Sequence, residues 1–230
     1  MTKTYAVADL HGRFDLLQKA IEAIKSRETG GNYTLIFLGD YVDRGPQSRQ
    51  IIERLMKGAD DGARWICLKG NHEDMMLTCL AGSNPMDWWL DNGGLRTLMS
   101  YGFKKGDMVD AALVPEAHKA WAAALPTSHV DVHRVYVHGW VDRHVELARQ
   151  DPEALIWTRY PTEDPGGYFD RHVIHGHVPY ADGPLFRERR TDLDTLAWKT
   201  GRLVIGVFDD AAPGAPVGLI EVKSEPQPFF

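Results

Sequence analysis

Hydrophobic and polar positions change their period along the chain, and the first third alternates between strand-like and helix-like segments. Short apolar runs predict three strands at Tyr5–Leu10, Thr34–Leu38 and Arg64–Leu68. After each strand, apolar residues recur every three or four positions, which is typical of helices with one buried face. These helices are predicted around Leu17–Ile24, Ile51–Met56 and Glu73–Leu80. Strand–helix alternation of this kind predicts an α/β layered fold.

The pattern changes between Gly82 and Ser128, where helical stretches such as Glu116–Leu125 mix with loops. We interpret residues 82–128 as a partly helical excursion packed near the first half of the chain. Strand-like runs then dominate, at Val135–Val137, Val173–Ile174, Leu203–Phe208 and Val217–Val222. We therefore expect a single domain over residues 1–223, followed by a loose C-terminal tail at 224–230.

Composition and charge exclude several classes of protein. The 230 residues are 43% hydrophobic and 25% charged, as expected of a soluble domain with a substantial core. The net charge of −6 repels polyphosphate backbones, so nucleic acid is not an expected partner. No apolar run is long enough to cross a membrane, and the N terminus lacks a signal-peptide core. Cys67 and Cys79 fit two buried, reduced thiols better than one disulfide, which favours a cytoplasmic protein.

Side chains that can bind a metal follow the first two predicted strands. Asp9 and His11 lie two positions apart, so in an extended segment both point the same way and can share one cation. Such a pair alone is more often a capping carboxylate beside an unrelated histidine. The motif Gly39-Asp-Tyr-Val-Asp-Arg-Gly45 is far more specific. It places Asp40 at a strand end, where open α/β sheets bind their ligands.

The remaining candidates follow the later strands. In Gly70-Asn-His-Glu73, Asn71 can supply a neutral oxygen to a cation, and His72 can act as an acid near neutral pH. An Asn-His pair at a helix start is also a common N-cap. His138 and His177 each follow a strand and lie next to glycine. A single histidine at such a position is usually structural, so the interpretation depends on the convergence of all these residues.

Five strand ends thus carry possible metal ligands. The six candidates are Asp9, His11, Asp40, Asn71, His138 and His177. Mixed oxygen and nitrogen donors suit two divalent cations, of which we expect Mn²⁺, with Fe or Zn²⁺ as alternatives. Two adjacent cations can hold an attacking hydroxide and a phosphoryl oxygen together. The residues alone therefore predict a binuclear centre for phosphate chemistry.

Three motifs in this order resemble the signature blocks of the PPP-type metallophosphatases, in their bacterial and phage form. The motifs are Asp9-Leu-His-Gly12, Gly39-Asp-Tyr-Val-Asp-Arg-Gly45 and Gly70-Asn-His-Glu73, and the resemblance runs from Thr4 to about Val207. It implies the calcineurin-like metallophosphoesterase fold, a central β-sandwich of two mixed sheets flanked by helices.

The resemblance also implies roles for the matching residues. The six candidate ligands would hold two metals bridged by Asp40, and a metal-bridging hydroxide would attack phosphorus directly. His72, steered by Asp43, would be the general acid at the leaving oxygen, and Arg44 and Arg159 would bind phosphate oxygens. The chain departs from the family in two places, where Gly-Trp follows the first late histidine and Val-Pro the second. Neither departure removes a ligand.

We expect a phosphomonoesterase that acts on phosphorylated serine or threonine in proteins, or on small phosphate esters. Two arginines directed at phosphate favour a terminal phosphate over an internal diester. An alternative is hydrolysis of dinucleoside polyphosphates, with Trp88, Trp89 or Trp140 stacked on an adenine, although such aromatics more often pack in the core. A catalytically idle metal-binding module is less expected, because His72, Asp43 and both arginines are present.

Overall fold

Two five-stranded β-sheets form the centre of the computed structural model, which describes residues 2–28, 30–104 and 106–226. The strands are β1 (Lys3–Val7), β2 (Tyr33–Phe37), β3 (Arg64–Cys67), β4 (Ser128–Val130), β5 (Arg134–Val137), β6 (His172–His175), β7 (Leu185–Arg187), β8 (Arg190–Asp192), β9 (Arg202–Asp209) and β10 (Gly218–Lys223). The first sheet has the order β10-β9-β1-β2-β3 and the second β4-β5-β6-β8-β7. The triplets β1-β2-β3 and β5-β6-β8 are parallel, and the other strands join by antiparallel pairing. The predicted α/β fold with two mixed sheets is confirmed.

Eight α-helices surround the sheets in the described ranges. They are α1 (Phe14–Lys25), α2 (Ser48–Lys57), α3 (Asn71–Leu80), α4 (Met86–Trp89), α5 (Leu95–Ser100), α6 (Glu116–Ala123), α7 (Pro152–Trp157) and α8 (Ala197–Thr200). A π-helical turn at Leu90–Gly94 joins α4 to α5, and 3-10 turns lie at Ala111–Leu113 and Leu147–Arg149. None of these helices has the length and apolarity needed to span a bilayer.

The core of the sandwich lies between the two sheets. On β1, Ala6 faces the second sheet, whereas its neighbours Tyr5 and Val7 pack with α1 and α2 on the opposite side. Tyr136 and Ile174 of the second sheet complete the inter-sheet layer. Because side chains alternate between the two faces of a strand and both faces of the inner strands β1, β2 and β9 are covered, these strands are mostly apolar.

Residues 82–128 contain α4, α5 and α6, which pack against α2 and α3. Their shared apolar cluster includes Ile52, Met76, Trp89, Leu98 and Val114, all buried. The segment therefore adds a small helical layer beside the carboxyl ends of β2 and β3. This position brings parts of the segment next to the candidate site.

Several elements were missed by the sequence analysis. The internal strand β8 reads Arg190-Thr-Asp192, three buried polar residues with no apolar signal. β4 and β7 are also only three residues long, and α7 only six. Such short segments contain too few residues to show a strand or helix periodicity. Their conformation is set by the elements packed beside them.

The expected loose tail lies partly outside the described residues, which end at Pro226. Within them, Ser224 donates a hydrogen bond to the Gly201 carbonyl, and the Glu225 carbonyl accepts one from Arg13. Both cysteines are free; Cys79 is buried as expected, whereas Cys67 is only half-buried because β3 is an edge strand.

Candidate metal centre and active site

The carboxyl ends of five strands meet at one edge of the sandwich. Asp9 and His11 follow β1, Asp40 follows β2, and Asn71 begins α3 directly after β3. The second sheet contributes the two remaining candidate ligands, His138 after β5 and His177 after β6. All six side chains are buried. Parallel strands place their carboxyl ends at the same edge, which is why residues distant in sequence come together here.

Asp40 lies at the centre of this group. Its Oδ2 is 3.5 Å from Nε2 of His11, and its Oδ1 is 3.4 Å from Nε2 of His138. Nε2 of His138 is also 3.0 Å from Oδ1 of Asn71. Asp40 belongs to two sets of possible ligand atoms, and within each set the atoms lie within 4.8 Å of one another. One set adds His11 and His72, and the other adds His138 and His177. A carboxylate between two such sets can serve both.

Three candidate histidines direct one ring nitrogen to a backbone carbonyl. Nδ1 of His11 is 2.9 Å from the Val42 oxygen, Nδ1 of His138 is 2.9 Å from the Leu38 oxygen, and Nε2 of His177 is 3.2 Å from the Trp157 oxygen. In His11 and His138 the other nitrogen, Nε2, faces the Asp40 carboxylate at 3.5 and 3.4 Å, an arrangement typical of metal-binding histidines. Burial lowers the pKa of His177 to about 3, and burial also lowers that of His11, so both rings are neutral.

Several buried carboxylates are crowded together beside these histidines. Burial and the carboxylates of Asp194 and Asp40 raise the pKa of Asp9, and burial raises that of Asp194 to about 6. Asp9 accepts the backbone N–H of His177 at 3.2 Å, although it belongs to neither compact set of ligand atoms. Burying several anions together is unfavourable without cations. The donor set and this accumulation of negative charge therefore fit divalent metals.

Backbone strain is concentrated at the same place. Eight non-glycine residues in the described ranges have positive φ, and six of them are predicted site residues: Asp9, His11, Asp40, Asp43, Arg44 and His177. Two glycines permit the close approach of the loops, since a Cβ at Gly70 would lie 2.2 Å from Asp40 Oδ1 and one at Gly176 2.0 Å from Asp9 Oδ2. Strain of this kind persists where the surrounding structure enforces it, and it is common at functional sites.

Glu73 joins the loops after β2 and β3. Its Oε1 accepts the backbone N–H groups of Tyr41 at 2.8 Å and Val42 at 3.2 Å. Its Oε2 accepts those of Asp40 and Gly70, both at 2.9 Å. One fully buried carboxylate thus fixes the backbone on both sides of Asp40 and the start of α3.

His72 and Asp43 form a buried pair beside Asp40. Nδ1 of His72 is 2.6 Å from Oδ2 of Asp43, and Nε2 is 4.0 Å from Oδ2 of Asp40. Burial opposes protonation of His72, but the carboxylates of Asp40 and Asp43 outweigh it and raise its pKa. Nη2 of Arg44 lies 3.1 Å from Nε2, so this nitrogen and the guanidinium face the same space.

The second predicted arginine and the tryptophans have different environments. Arg159 is exposed just after α7 and is close enough to His177 to lower its pKa, after the larger effect of burial. Trp89 is fully buried, and Trp140 is half-buried against Tyr160. Trp88 is 38% exposed to solvent, and its ring stacks on that of Trp157 with the ring centroids 5.6 Å apart.

The sequence analysis gave no role to Glu73 or Thr97, and it considered Trp89 only as a surface that could stack on an adenine. Glu73 had a recognisable signal, because an acidic residue three positions after a helix N-cap commonly binds backbone N–H groups there. Trp89 and Thr97 contact Asp43 across 46 and 54 residues of sequence, so no local pattern could reveal them.

A family model described as calcineurin-like phosphoesterase matches residues 2–201. The chain belongs to this family. Membership confirms the family resemblance.

Individual relatives share shorter segments. The chain is 34% identical over 91 residues to serine/threonine-protein phosphatase 1 of Salmonella typhimurium, covering 39% of this chain and 38% of that protein. It is 37% identical over 79 residues to a symmetrical bis(5'-nucleosyl)-tetraphosphatase of Actinobacillus succinogenes, covering 34% and 27%. The matched segment thus spans less than two fifths of either relative. A solved structure titled as a putative diadenosine tetraphosphatase superposes with a TM-score of 0.66 at 19% identity, covering 97% of this chain and 94% of that one, which supports the fold.

Replacement of Asp40 by Asn should remove metal from both sites, since the two ligand sets share this carboxylate. After reconstitution with Mn²⁺, elemental analysis should give about two ions per wild-type chain and little in Asp40→Asn. The exposed Asp107→Asn serves as the matched control and should retain full occupancy. Two ions bound to Asp40→Asn would contradict the shared centre.

Glu73→Gln should destabilise the protein by about 2–4 kcal/mol although it preserves shape, because the amide NH₂ would face two backbone N–H donors. Urea unfolding measures the loss. Glu53→Gln, on the exposed face of α2, should change the free energy of unfolding by less than about 1 kcal/mol. Equal stabilities of the two variants would show that the four hydrogen bonds do not hold the loops.

Proposed function

We propose that this protein is a binuclear metal-dependent phosphomonoesterase of the serine/threonine phosphatase type. The observation that carries the proposal is the position of His72. Its Nε2 lies 4.0 Å from Asp40 Oδ2, at the shared metal ligand, and 3.1 Å from the guanidinium of Arg44. A group that can donate a proton, a group that can bind phosphate and a metal site therefore face one space.

The charges around this space favour a terminal phosphate. When bound, two divalent cations supply positive charge and activate a water molecule for attack on phosphorus. Arg44 and the exposed Arg159 add two further positive charges at its border. Charge-assisted hydrogen bonds from guanidinium groups are strongest to the oxygens of a dianionic monoester, which supports a monoester as the substrate.

The proposed roles of the side chains follow from their contacts. His72 donates its Nε2 proton to the leaving oxygen as the P–O bond breaks, and Asp43 holds the opposite nitrogen so that the ring keeps its orientation. Arg44 and Arg159 bind the non-bridging oxygens and stabilise the charge that grows on them in the transition state. The six candidate ligands would hold the cations, with Mn²⁺ as the metal we favour for these donors.

Dinucleoside polyphosphate hydrolysis is the second candidate. It is supported by the relative named for tetraphosphatase activity and by the partly exposed Trp88 stacked on Trp157, which offers an aromatic surface to a base. Trp89 is fully buried and cannot serve this purpose. We place the protein in the cytoplasm, which the two free cysteines support.

A substrate panel with added Mn²⁺ separates these functions. It comprises a phosphoserine peptide, p-nitrophenyl phosphate, bis-p-nitrophenyl phosphate and diadenosine tetraphosphate. We expect the highest kcat/KM on the two monoesters. Preference for diadenosine tetraphosphate would favour the second candidate, and no hydrolysis of any substrate would refute both.

His72→Asn should reveal the general acid through the leaving group. A serine alkoxide needs a proton as it leaves, whereas p-nitrophenolate departs as a stable anion. We expect kcat to fall by about 10²–10⁴ on a phosphoserine peptide and far less on p-nitrophenyl phosphate. His144→Asn, at an exposed position, is the control. Equal losses on both substrates with metal retained would assign His72 to binding rather than proton transfer.

Arg44→Ala and Arg159→Ala should each raise KM and lower kcat while metal content stays unchanged. Each variant removes charge-assisted hydrogen bonds worth about 2–4 kcal/mol in the transition state. Steady-state kinetics on a monoester measure the effect, with Arg27→Ala, an exposed residue just after α1, as the control. Wild-type kinetics in either site variant would show that the arginine does not contact phosphate.

A further inference from the structure

The carboxylate of Asp43 receives two donors from the helical segment 82–128. The indole Nε1 of Trp89 lies 2.9 Å from Oδ1 and 3.0 Å from Oδ2. The hydroxyl of Thr97 donates to Oδ1 at 2.7 Å and accepts the backbone N–H of Asp43 at 2.8 Å. Asp43, Trp89 and Thr97 are all fully buried. These contacts therefore form without competition from solvent.

The donors from this segment approach the carboxylate mainly at Oδ1. Oδ1 accepts from Trp89 and Thr97, whereas Oδ2, which the Trp89 indole also reaches at 3.0 Å, is directed to Nδ1 of His72 at 2.6 Å. Without the donors at Oδ1, the carboxylate could turn about its Cβ–Cγ bond and present other angles to the imidazole. Hydrogen bonds to a buried anion are stronger and more directional than those between neutral groups.

The same segment also holds the residue after Asp43. The backbone N–H of Arg44 donates to the carbonyl of Gly93, in the π-helical turn, at 3.2 Å. Gly93 has a φ of 108°, and a Cβ there would lie 2.7 Å from the Arg44 nitrogen. The turn between α4 and α5 is thus built to lie against the Asp43–Arg44 backbone.

We propose that Trp89 and Thr97 are positioning residues for proton transfer, because they fix the Asp43 carboxylate that orients His72. This inference rests on the proposed function, in which His72 protonates the leaving oxygen. It gives the helical segment an indirect part in the reaction. Neither residue touches the substrate, so both act only through Asp43.

Two variants remove the donors. Thr97→Val replaces the hydroxyl by a methyl group of the same size, whereas Trp89→Phe deletes the indole N–H, keeps an apolar ring in the core and leaves a cavity whose effect the thermal unfolding measures. Thr97→Ser restores a hydroxyl. The matched control is Trp65→Phe in β3, since the buried Nε1 of Trp65 has no hydrogen-bond partner among the described residues. Thermal unfolding and Mn²⁺ content are measured for every variant.

Kinetics on two leaving groups provide the first readout. In Trp89→Phe and Thr97→Val, kcat on a phosphoserine peptide should fall about 10-fold, whereas kcat on p-nitrophenyl phosphate and both KM values should change less than about twofold. Thr97→Ser should recover most of the loss, and Trp65→Phe should match the wild type. Equal losses on both substrates, or no loss on the peptide, would overturn the proposal.

Proton NMR of the Zn²⁺-loaded protein provides a readout that does not need activity. The Nδ1 proton of His72, in a 2.6 Å hydrogen bond to a carboxylate, should give a low-field signal that is absent from His72→Asn. The signal should shift in Trp89→Phe and Thr97→Val but not in Trp65→Phe. If the wild type hydrolyses neither ester while the signal still shifts, the proposed function fails and the positioning contacts stand. An unchanged signal in both variants would refute the positioning role itself.

Discussion

Four backbone N–H groups converge on the carboxylate of Glu73, and the geometry of the site depends on this convergence. The loop after β2 carries Asp40 in a left-handed conformation that most side chains avoid. Glu73 accepts the N–H of Asp40 itself and of the two residues that follow. Because Glu73 belongs to the first turn of α3, the same side chain fixes this loop relative to Asn71 and His72. Strained residues are thus held by strong, buried hydrogen bonds.

The second constraint is the packing of the two sheets. The first sheet carries four of the six candidate ligands and the second carries His138 and His177. The distance between the groups is therefore set by the apolar layer that contains Ala6, Tyr136 and Ile174. Protein cores are close-packed and resist small displacements. A site shared by two sheets consequently gains precision from side chains that take no part in the chemistry.

Some parts of the structure could be predicted from local sequence pattern, and others depend on contacts that form only in the folded chain. The apolar strands, the helices α1 to α3 and the motif residues at the strand ends were predictable, because each depends on period or spacing within a few residues. The strand Arg190–Asp192 was not, since its three buried residues are polar and carry no apolar signal. Trp89 and Thr97 were also hidden, because their role exists only after residues 82–128 fold against Asp43. Local pattern thus predicted the candidate ligands, and tertiary contacts supply what orients them.

The central claim is that two metals, sharing Asp40, serve one phosphomonoesterase site. Its most direct test is the rate of phosphate release from a phosphoserine peptide as Mn²⁺ is added stepwise to metal-free protein. The rate should be negligible without metal and should rise until about two equivalents per chain are present. Full activity without metal, or a plateau at one equivalent, would contradict the shared binuclear centre.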